Sequence, residues 1–401
     1  MKYDFDKIIE RTGTNSMKWD SARKRLGIQE ILPMWVADMD FESPPPVIEA
    51  LRKRVEHGVY GYAEKPESYA KAVKAWMEKR FGWNIEQEWI VFTPGVITGV
   101  CMAIQSYTLP GDKVVIQQPV YYPFREIILE NGREVLDNPL RIEDGRYVMD
   151  CTHLESVIDD RTKMLILCSP HNPVGRVWSK QELQELAEIC LRNDLLLLSD
   201  EIHADLIMRG HRHEPTAALS PEVENITVTC NAPTKTFNLA GLEVGYAIIP
   251  QKKLRRLFEK NLRQTGLMLA NMFGIVALEA AYNNGEEWLG QLLEYVRANY
   301  LFLISFIKEH LPRVGVFPLE GTYLVWLDFR KYGLSDKKLK ELLLQRAKIW
   351  LVEGPKFGSG GEGFQRMNIA CPKKTLEEGL NRMAGALKAW ETQERPEEKS
   401  S

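Results

Sequence analysis

Apolar residues fall along this chain in two rhythms. From about Glu88 onward, short continuous apolar runs alternate with longer stretches in which apolar positions recur every three or four residues. The runs at 89–92, 114–117, 164–168, 195–199, 226–230 and 244–249 read as strands. Several are apolar at consecutive positions, as in Leu195-Leu196-Leu197-Leu198, the pattern of a strand covered on both faces. Between them lie amphipathic stretches such as 180–192, where Leu183, Leu186, Ala187 and Cys190 keep helical spacing behind Ser179 as N-cap. This alternation predicts an α/β fold with a central, mostly parallel sheet and crossover helices.

After Pro250 the rhythm changes to long helical periodicity as far as about Leu311, interrupted at Asn283-Asn284-Gly285. The last hundred residues read as helix, strand (323–329), helix (335–348), strand (364–370), helix (375–390), a smaller α+β unit. Residues 1–47, ending in Pro44-Pro45-Pro46, carry too little pattern to fold alone and are expected to pack on that unit or on a partner subunit. The division expected is an N-terminal segment 1–47, a large unit 48–285 and a small unit 286–401, with the polar tail 391–401 frayed.

Composition narrows the function without naming it. Hydrophobic residues make up 44% and charged residues 27% of the 401, which is ordinary globular usage and excludes a disordered or fibrous chain. A net charge of −3 argues against a partner bound through phosphate-backbone contacts, so no nucleic-acid role is expected. Six cysteines lie far apart without metal-ligand spacing and read as reduced thiols of a cytoplasmic protein. The N-terminus lacks a signal peptide's apolar region, and no apolar run approaches the roughly 20 residues that span a bilayer.

Some short motifs fall away on context. Gly358-Ser359-Gly360-Gly361-Glu362-Gly363 satisfies G-x-G-x-x-G, but a strand rather than a helix follows it, so it reads as a flexible loop with no helix end for a pyrophosphate. His211 with His213, and Asp38 with Asp40, have no companions at metal-ligand spacing, and no metal is expected.

Three other segments gain weight together. Ser169-Pro170-His171-Asn172-Pro173-Val174-Gly175 makes a sharp turn after one buried strand, Asp200 ends the next, and Lys235 lies in the turn after the third. Ligands of open α/β sheets bind at the carboxyl ends of strands. An amide, an acid and an amine delivered there meet the needs of pyridoxal phosphate: the amine for a Schiff base, the acid for the pyridine nitrogen, the amide for the ring oxygen.

These segments, continuing as Ser199-Asp200-Glu201-Ile202-His203-Ala204-Asp205-Leu206 and Ala232-Pro233-Thr234-Lys235-Thr236-Phe237-Asn238, resemble the fold-type I pyridoxal-phosphate enzymes along most of the chain. The resemblance implies an aspartate aminotransferase-like fold with a mostly parallel seven-stranded sheet. It implies Lys235 as the Schiff-base lysine, Asp200 as the pyridinium partner, Asn172 beside the ring oxygen, and Tyr121 stacked on the ring. Gly95 with the N–H groups of Val96 and Ile97, Thr234 and Tyr62 would hold the phosphate, Tyr62 reaching in from the partner of a homodimer.

Two departures point to a branch. Position 243, where aminotransferases of this fold usually carry a phosphate-binding arginine, holds Glu243, a carboxylate that must turn away or be compensated. His203 stands where many carry tyrosine. Both, with Met34-Trp35-Val36-Ala37-Asp38-Met39-Asp40-Phe41, resemble the cystathionine β-lyase, or C-S lyase, branch of MalY/PatB type. Arg366 in Arg366-Met367-Asn368-Ile369-Ala370 then matches the clamp for a substrate α-carboxylate, with Tyr121 and Tyr62 beside it. The activity implied is an α,β-elimination: Lys235 removes the α-proton, a thiolate leaves the β-carbon, and pyruvate and ammonia follow. Two other readings stay open, an aminotransferase on the same scaffold and a cofactor-binding regulator acting through its surface.

Overall fold

The computed structural model describes residues 2–28, 30–267 and 269–393. Its centre, among the described residues, is a seven-stranded sheet of β1 (Ile90–Thr93), β2 (Lys113–Ile116), β3 (Glu134–Asp137), β4 (Thr162–Cys168), β5 (Leu196–Asp200), β6 (Thr227–Asn231) and β7 (Gly245–Ile248), in the order β1-β7-β6-β5-β4-β2-β3. Neighbours pair in parallel from β6 through to β3, whereas β7 runs antiparallel to both β1 and β6. The six strands read from apolar runs are all present, displaced by a residue or two. β3 was not legible because Glu134–Asp137 lies at the sheet edge, is at most half-buried and carries no apolar run.

The apolar runs have a direct explanation. Leu165, Leu167 and Leu197 face one core together with Leu183, Leu186, Ala187 and Cys190 of the helix Lys180–Arg192. Met164, Ile166, Cys168 and Leu198 face the other with Val100, Ala103 and Ile104 of α1 (Val96–Tyr107). Both faces of each strand are dry, so alternation disappears. Ser179 caps the helix Lys180–Arg192 as expected, with Glu182 closing the reciprocal half of a capping box.

The C-terminal part holds an antiparallel sheet of Gly315–Val316, Leu324–Asp328, Val352–Glu353 and Phe364–Asn368, with the long helices Glu286–His310 and Lys373–Gln393. The helix expected over 335–348 is shorter: Asp336–Glu341 passes into a π turn, Leu342–Arg346. Residues 391–393, expected in the frayed tail, belong instead to the helix that continues to Gln393; the rest of that expected tail, residues 394–401, lies outside the described residues. The glycine loop after Gly358 is packed rather than flexible: Ser359 N–H donates to Gln118 Oε1 at 3.0 Å, and a Cβ on Gly361 would fall 2.1 Å from the Gly354 oxygen.

Residues near the N-terminus join this part to the rest. Leu32–Pro33 pairs in parallel with Ile349–Trp350, Asn368 N–H donates to the Met34 carbonyl at 2.9 Å, and Asp40 N–H donates to the Ala370 carbonyl at 2.9 Å. Asp38 and Asp40 are ion-pair partners: Arg11 reaches both at 2.7 and 2.6 Å, and the buried Lys18 reaches Asp40 at 2.6 Å. His213 is buried against Glu201 at 3.0 Å, whereas His211 is exposed. Among the described residues no cluster of His, Cys, Asp or Glu is placed to hold a metal, no helix is long and apolar enough to cross a membrane, and all six cysteines are free.

One buried acid in the turn after β5 ties together the helix Glu67–Phe81 and the short helix Pro233–Thr236. Asp205 accepts from Trp76 Nε1 at 3.1 Å, Thr236 Oγ1 at 3.0 Å and Arg80 Nε at 3.1 Å. Asp205→Ala leaves a buried indole and a buried hydroxyl without their acceptor and takes the ion-pair partner from the partly buried guanidinium of Arg80, a loss of about 3 kcal/mol. Urea unfolding of the cofactor-free chain measures it; a variant within about 0.5 kcal/mol of the parent shows that this carboxylate does not hold the region.

Candidate active site

The carboxyl ends of β4, β5 and β6 open into one cavity of about 390 Å³. β4 ends at Cys168, and the following turn is tight enough to need Gly175 at φ +73°. Its His171 is buried, bonded at 2.9 Å to the Pro119 carbonyl, and burial lowers its pKa to about 4. The Asn172 N–H meets Cys168 Sγ at 3.4 Å, leaving its side-chain oxygen to accept from Arg366 Nη1 at 2.9 Å.

Asp200 ends β5 in register with Cys168 on one side and Cys230 on the other. Flanked by thiols and buried, its carboxyl accepts the Ile202 N–H at 3.1 Å, and loss of water raises its pKa to about 7. After β6 the short helix Pro233–Thr236 carries Lys235, half-buried, whose Nζ donates to the Ala37 carbonyl at 2.6 Å. Burial lowers that amine to about 8, opposed chiefly by the Asp38 charge.

Arg366 arrives from the other sheet, on Phe364–Asn368. It is 3% exposed, donates through Nη2 to the Trp35 carbonyl at 2.8 Å, lies 5.1 Å from the Phe357 ring centre, and has no partner for Nε. Burial lowers its pKa to about 10, which leaves it charged at neutral pH. His203 is buried edge-on to Tyr323 at 6.1 Å, and burial drives its pKa down to about 3, so it stays neutral. Tyr121 lines the wall with its ring edge-on to Phe124 at 5.6 Å, and burial raises its hydroxyl pKa.

The start of α1 also lines the cavity. Gly95 precedes it at φ +91°, ψ 164°, and no side chain caps the helix, so the first N–H groups have no capping side-chain acceptor where Gly95, Val96 and Ile97 line the cavity. Thr234 stands beside them.

Gly95, Val96, Ile97, Tyr121, Asn172, Asp200, His203, Thr234, Lys235 and Arg366 therefore share one cavity. Tyr62 is not brought to it: the side chain is 97% exposed, and no part of it lines the wall. Glu243 lines the cavity, and among the described residues no cation compensates it. Sequence reasoning missed Tyr122, Cys168, Ile202 and Val352 on the wall, and gave Trp35 and Ala37 no role. Trp35 and Ala37 act through backbone carbonyls, which no side-chain pattern reports.

The donor set suits pyridoxal phosphate on its own chemistry. An uncapped helix end suits a phosphate, a buried acid with a raised pKa suits a ring nitrogen that carries a proton, and an amine lowered toward neutrality suits an aldehyde. The unpartnered Nε of Arg366 leaves one more donor for a carboxylate.

The raised pKa of Asp200 has a pH consequence. An acid raised to about 7 in the folded chain, against about 4 unfolded, binds its proton more tightly when folded. Its neutral form is present in both states at low pH, and stability is lost as pH rises from about 4 toward 7. Asp200→Asn cannot ionise, so the cofactor-free variant melts with the parent at about pH 4 and above it at about pH 8. Thermal melts across that range test this; a parent that melts higher than the variant at the alkaline end contradicts the assignment of Asp200 as a destabilised buried charge.

Comparison with known proteins bears on the same site. The family model for aminotransferase class I and II matches residues 30–383. The chain is 46% identical to cystathionine beta-lyase PatB of Bacillus subtilis over 385 residues, covering 96% of this chain and 100% of that one. Its structure is similar to cystalysin of Treponema denticola, which contains pyridoxal 5′-phosphate (TM-score 0.94, 40% identity, 97% and 100% of the two chains). It is also similar to the PLP-bound C-S lyase of Staphylococcus hominis (TM-score 0.91, 32% identity, 96% and 98%). With more than half its length matched and its amine, buried acid and buried guanidinium in one cavity, the chain belongs to the class I and II aminotransferase family.

Proposed function

We propose that this protein is a pyridoxal-phosphate-dependent carbon–sulfur lyase, a cystathionine β-lyase. It cleaves L-cystathionine or a related S-substituted cysteine by α,β-elimination, and with water the products are a thiol (homocysteine from cystathionine), pyruvate and ammonia. The observation that carries the reading is the meeting of Lys235, Asp200, Asn172 and Arg366 in one cavity, in a chain whose near full-length relatives bear lyase names.

Residues 48–285 form the cofactor-binding unit in this reading. Lys235 holds the aldehyde carbon, Asp200 the ring nitrogen, Asn172 the ring oxygen, and Tyr121 and His203 the ring itself. Gly95, Val96, Ile97 and Thr234 take the phosphate. Bound there, the cofactor withdraws electrons from the bonds broken at the substrate's α-carbon.

The chain's own groups do the rest. Arg366 exchanges the Trp35 carbonyl for the substrate's α-carboxylate, to which its planar fork offers two parallel donors. Burial fixes the guanidinium and so fixes the α-carbon relative to Lys235. Lys235 Nζ, lowered to about 8, is deprotonated in a useful fraction near neutral pH and removes the α-proton. Asp200 ionises when it faces a positive ring nitrogen and keeps that nitrogen protonated.

A homodimer in the cytoplasm completes the reading, with the partner subunit's Tyr62 at the phosphate. Val59, Tyr60 and Tyr62 are 63%, 55% and 97% exposed on one loop, an apolar run that a second subunit would cover. The family match also supports a second reading, an aminotransferase.

Cofactor-loaded protein given L-cystathionine without any keto acid is expected to release pyruvate and thiol in equal amounts. Lys235→Ala loses at least about a thousandfold of that rate, and added amines must be excluded as rescuers. Turnover that requires a keto-acid acceptor moves the assignment to the aminotransferase; near-normal turnover by Lys235→Ala removes Lys235 from the chemistry.

A further inference from the structure

Glu243 lines the same cavity as Gly95, Val96 and Ile97 at the start of α1, and β7, two residues on, packs against that start. Gly245 opens β7 so close to Gly95 that a Cβ would lie 3.1 Å from Gly95 Cα and 3.2 Å from the Asn231 carbonyl oxygen. Two residues earlier the chain leaves the turn Ala240–Leu242 with Glu243 at φ +47°, ψ 53°, a left-handed conformation that a non-glycine residue adopts only when its surroundings impose it. The side chain is exposed, lines the cavity wall, and its carboxylate has no hydrogen bond or ion pair among the described residues.

The lysine and the arginine that line the cavity are already engaged. Lys235 donates to the Ala37 carbonyl, and Arg366 donates to Asn172 and the Trp35 carbonyl. A phosphate ester bound at the uncapped end of α1 therefore gains backbone N–H groups and the helix dipole, yet meets an unneutralised carboxylate on the same wall. Like charges that share one cavity repel, and exposure to water moderates the repulsion without abolishing it.

We propose that Glu243 weakens the protein's hold on the cofactor's phosphate and so keeps the cofactor exchangeable, making the loaded fraction of the enzyme follow cofactor supply. The inference rests on the reading that the amino end of α1 takes that phosphate. Its signature is selectivity, because only a ligand that carries the phosphate meets the repulsion.

Cofactor-free protein is titrated with pyridoxal 5′-phosphate and, separately, with pyridoxal, which lacks the phosphate, following the absorbance of the bound aldehyde. Glu243→Gln is expected to tighten pyridoxal phosphate roughly five- to tenfold, to slow its loss on dilution by a similar factor, and to leave pyridoxal unchanged. Glu243→Asp keeps the charge and is expected to match the parent within about twofold. If the glutamine variant does not fold, Glu243→Asn, whose side chain tolerates the left-handed region, takes its place.

Unchanged or weaker binding of pyridoxal phosphate by Glu243→Gln overturns the proposal, as does equal tightening of both aldehydes. A parent whose absorbance responds to neither aldehyde overturns the underlying reading and the proposal with it. That failure is distinguishable because no variant then shows a bound aldehyde.

Discussion

Everything at the site depends on keeping Asp200, Lys235 and Arg366 close together with little water. Asp200 and Arg366 are 4% and 3% exposed, and Lys235 is half-buried. Removing such groups from water costs several kcal/mol each when nothing replaces it. Here the replacements are mostly backbone dipoles: Ile202 N–H for Asp200, the Ala37 carbonyl for Lys235, the Trp35 carbonyl for Arg366. Dipoles of this kind satisfy a charge without neutralising it, so the groups remain available to a ligand. The displaced pKa values follow from the loss of water, which these dipoles offset only in part, upward for the acid and downward for the two bases.

The segment from Trp35 to Phe41 makes the arrangement possible because it is strung between two bodies of the fold. Asn368 Nδ2 donates to the Val36 and Asp38 carbonyls, each at 2.6 Å, from the side of Arg366. Asn238, three residues beyond Lys235 and at φ +58°, donates to the Met39 and Phe41 carbonyls at 3.0 and 2.9 Å and accepts the Met39 N–H at 3.0 Å. Tyr323 donates a further bond to the Ala37 carbonyl at 3.0 Å. Each side-chain amide replaces the strand partner this segment lacks. The ion pairs of Arg11 and Lys18 with Asp38 and Asp40 then fix its outer side, so a stretch with little secondary structure holds two carbonyls at fixed places over the lysine and the arginine.

Which parts were legible in the sequence follows from which forces leave a side-chain trace. Strands buried on both faces print runs such as Leu195–Leu198, and the five interior strands, with the edge strand β1 that is buried along its whole length, could be read from them. β3 at the edge could not, since Glu134 is exposed and the rest of the strand only half-buried. Asp200, Lys235 and Asn172 were legible because proline, glycine and polar residues are concentrated where buried strands end. Arg366 needed the resemblance, for nothing in a strand's alternation says that one guanidinium will be buried rather than solvated. The carbonyls of Trp35 and Ala37 had no signal at all, because every residue owns one. Tyr62 marks another limit, since a single chain leaves it in water whatever a second subunit does with it.

The site is thus assembled at the expense of the cofactor-free fold, and the imbalance has a direction. A buried acid held by a single N–H, an arginine with an idle Nε and an uncapped helix end are each weaker in the free chain than they would be with a partner. A ligand that brings an aldehyde, a protonated ring nitrogen and a phosphate supplies partners to the lysine, the acid and the helix end at once. Its binding free energy is then spent on the folded state alone, because the unfolded chain does not bring those groups together. Stability deferred in this way is the local conflict expected where a chain is shaped for chemistry rather than for its own packing. Glu243 belongs to the same logic with the opposite sign, an unpaired charge that the ligand's phosphate makes worse. The hold on the cofactor is therefore set by a difference between favourable and unfavourable contributions from separate residues of one cavity, and Glu243 can be altered without touching the lysine, the acid or the helix end.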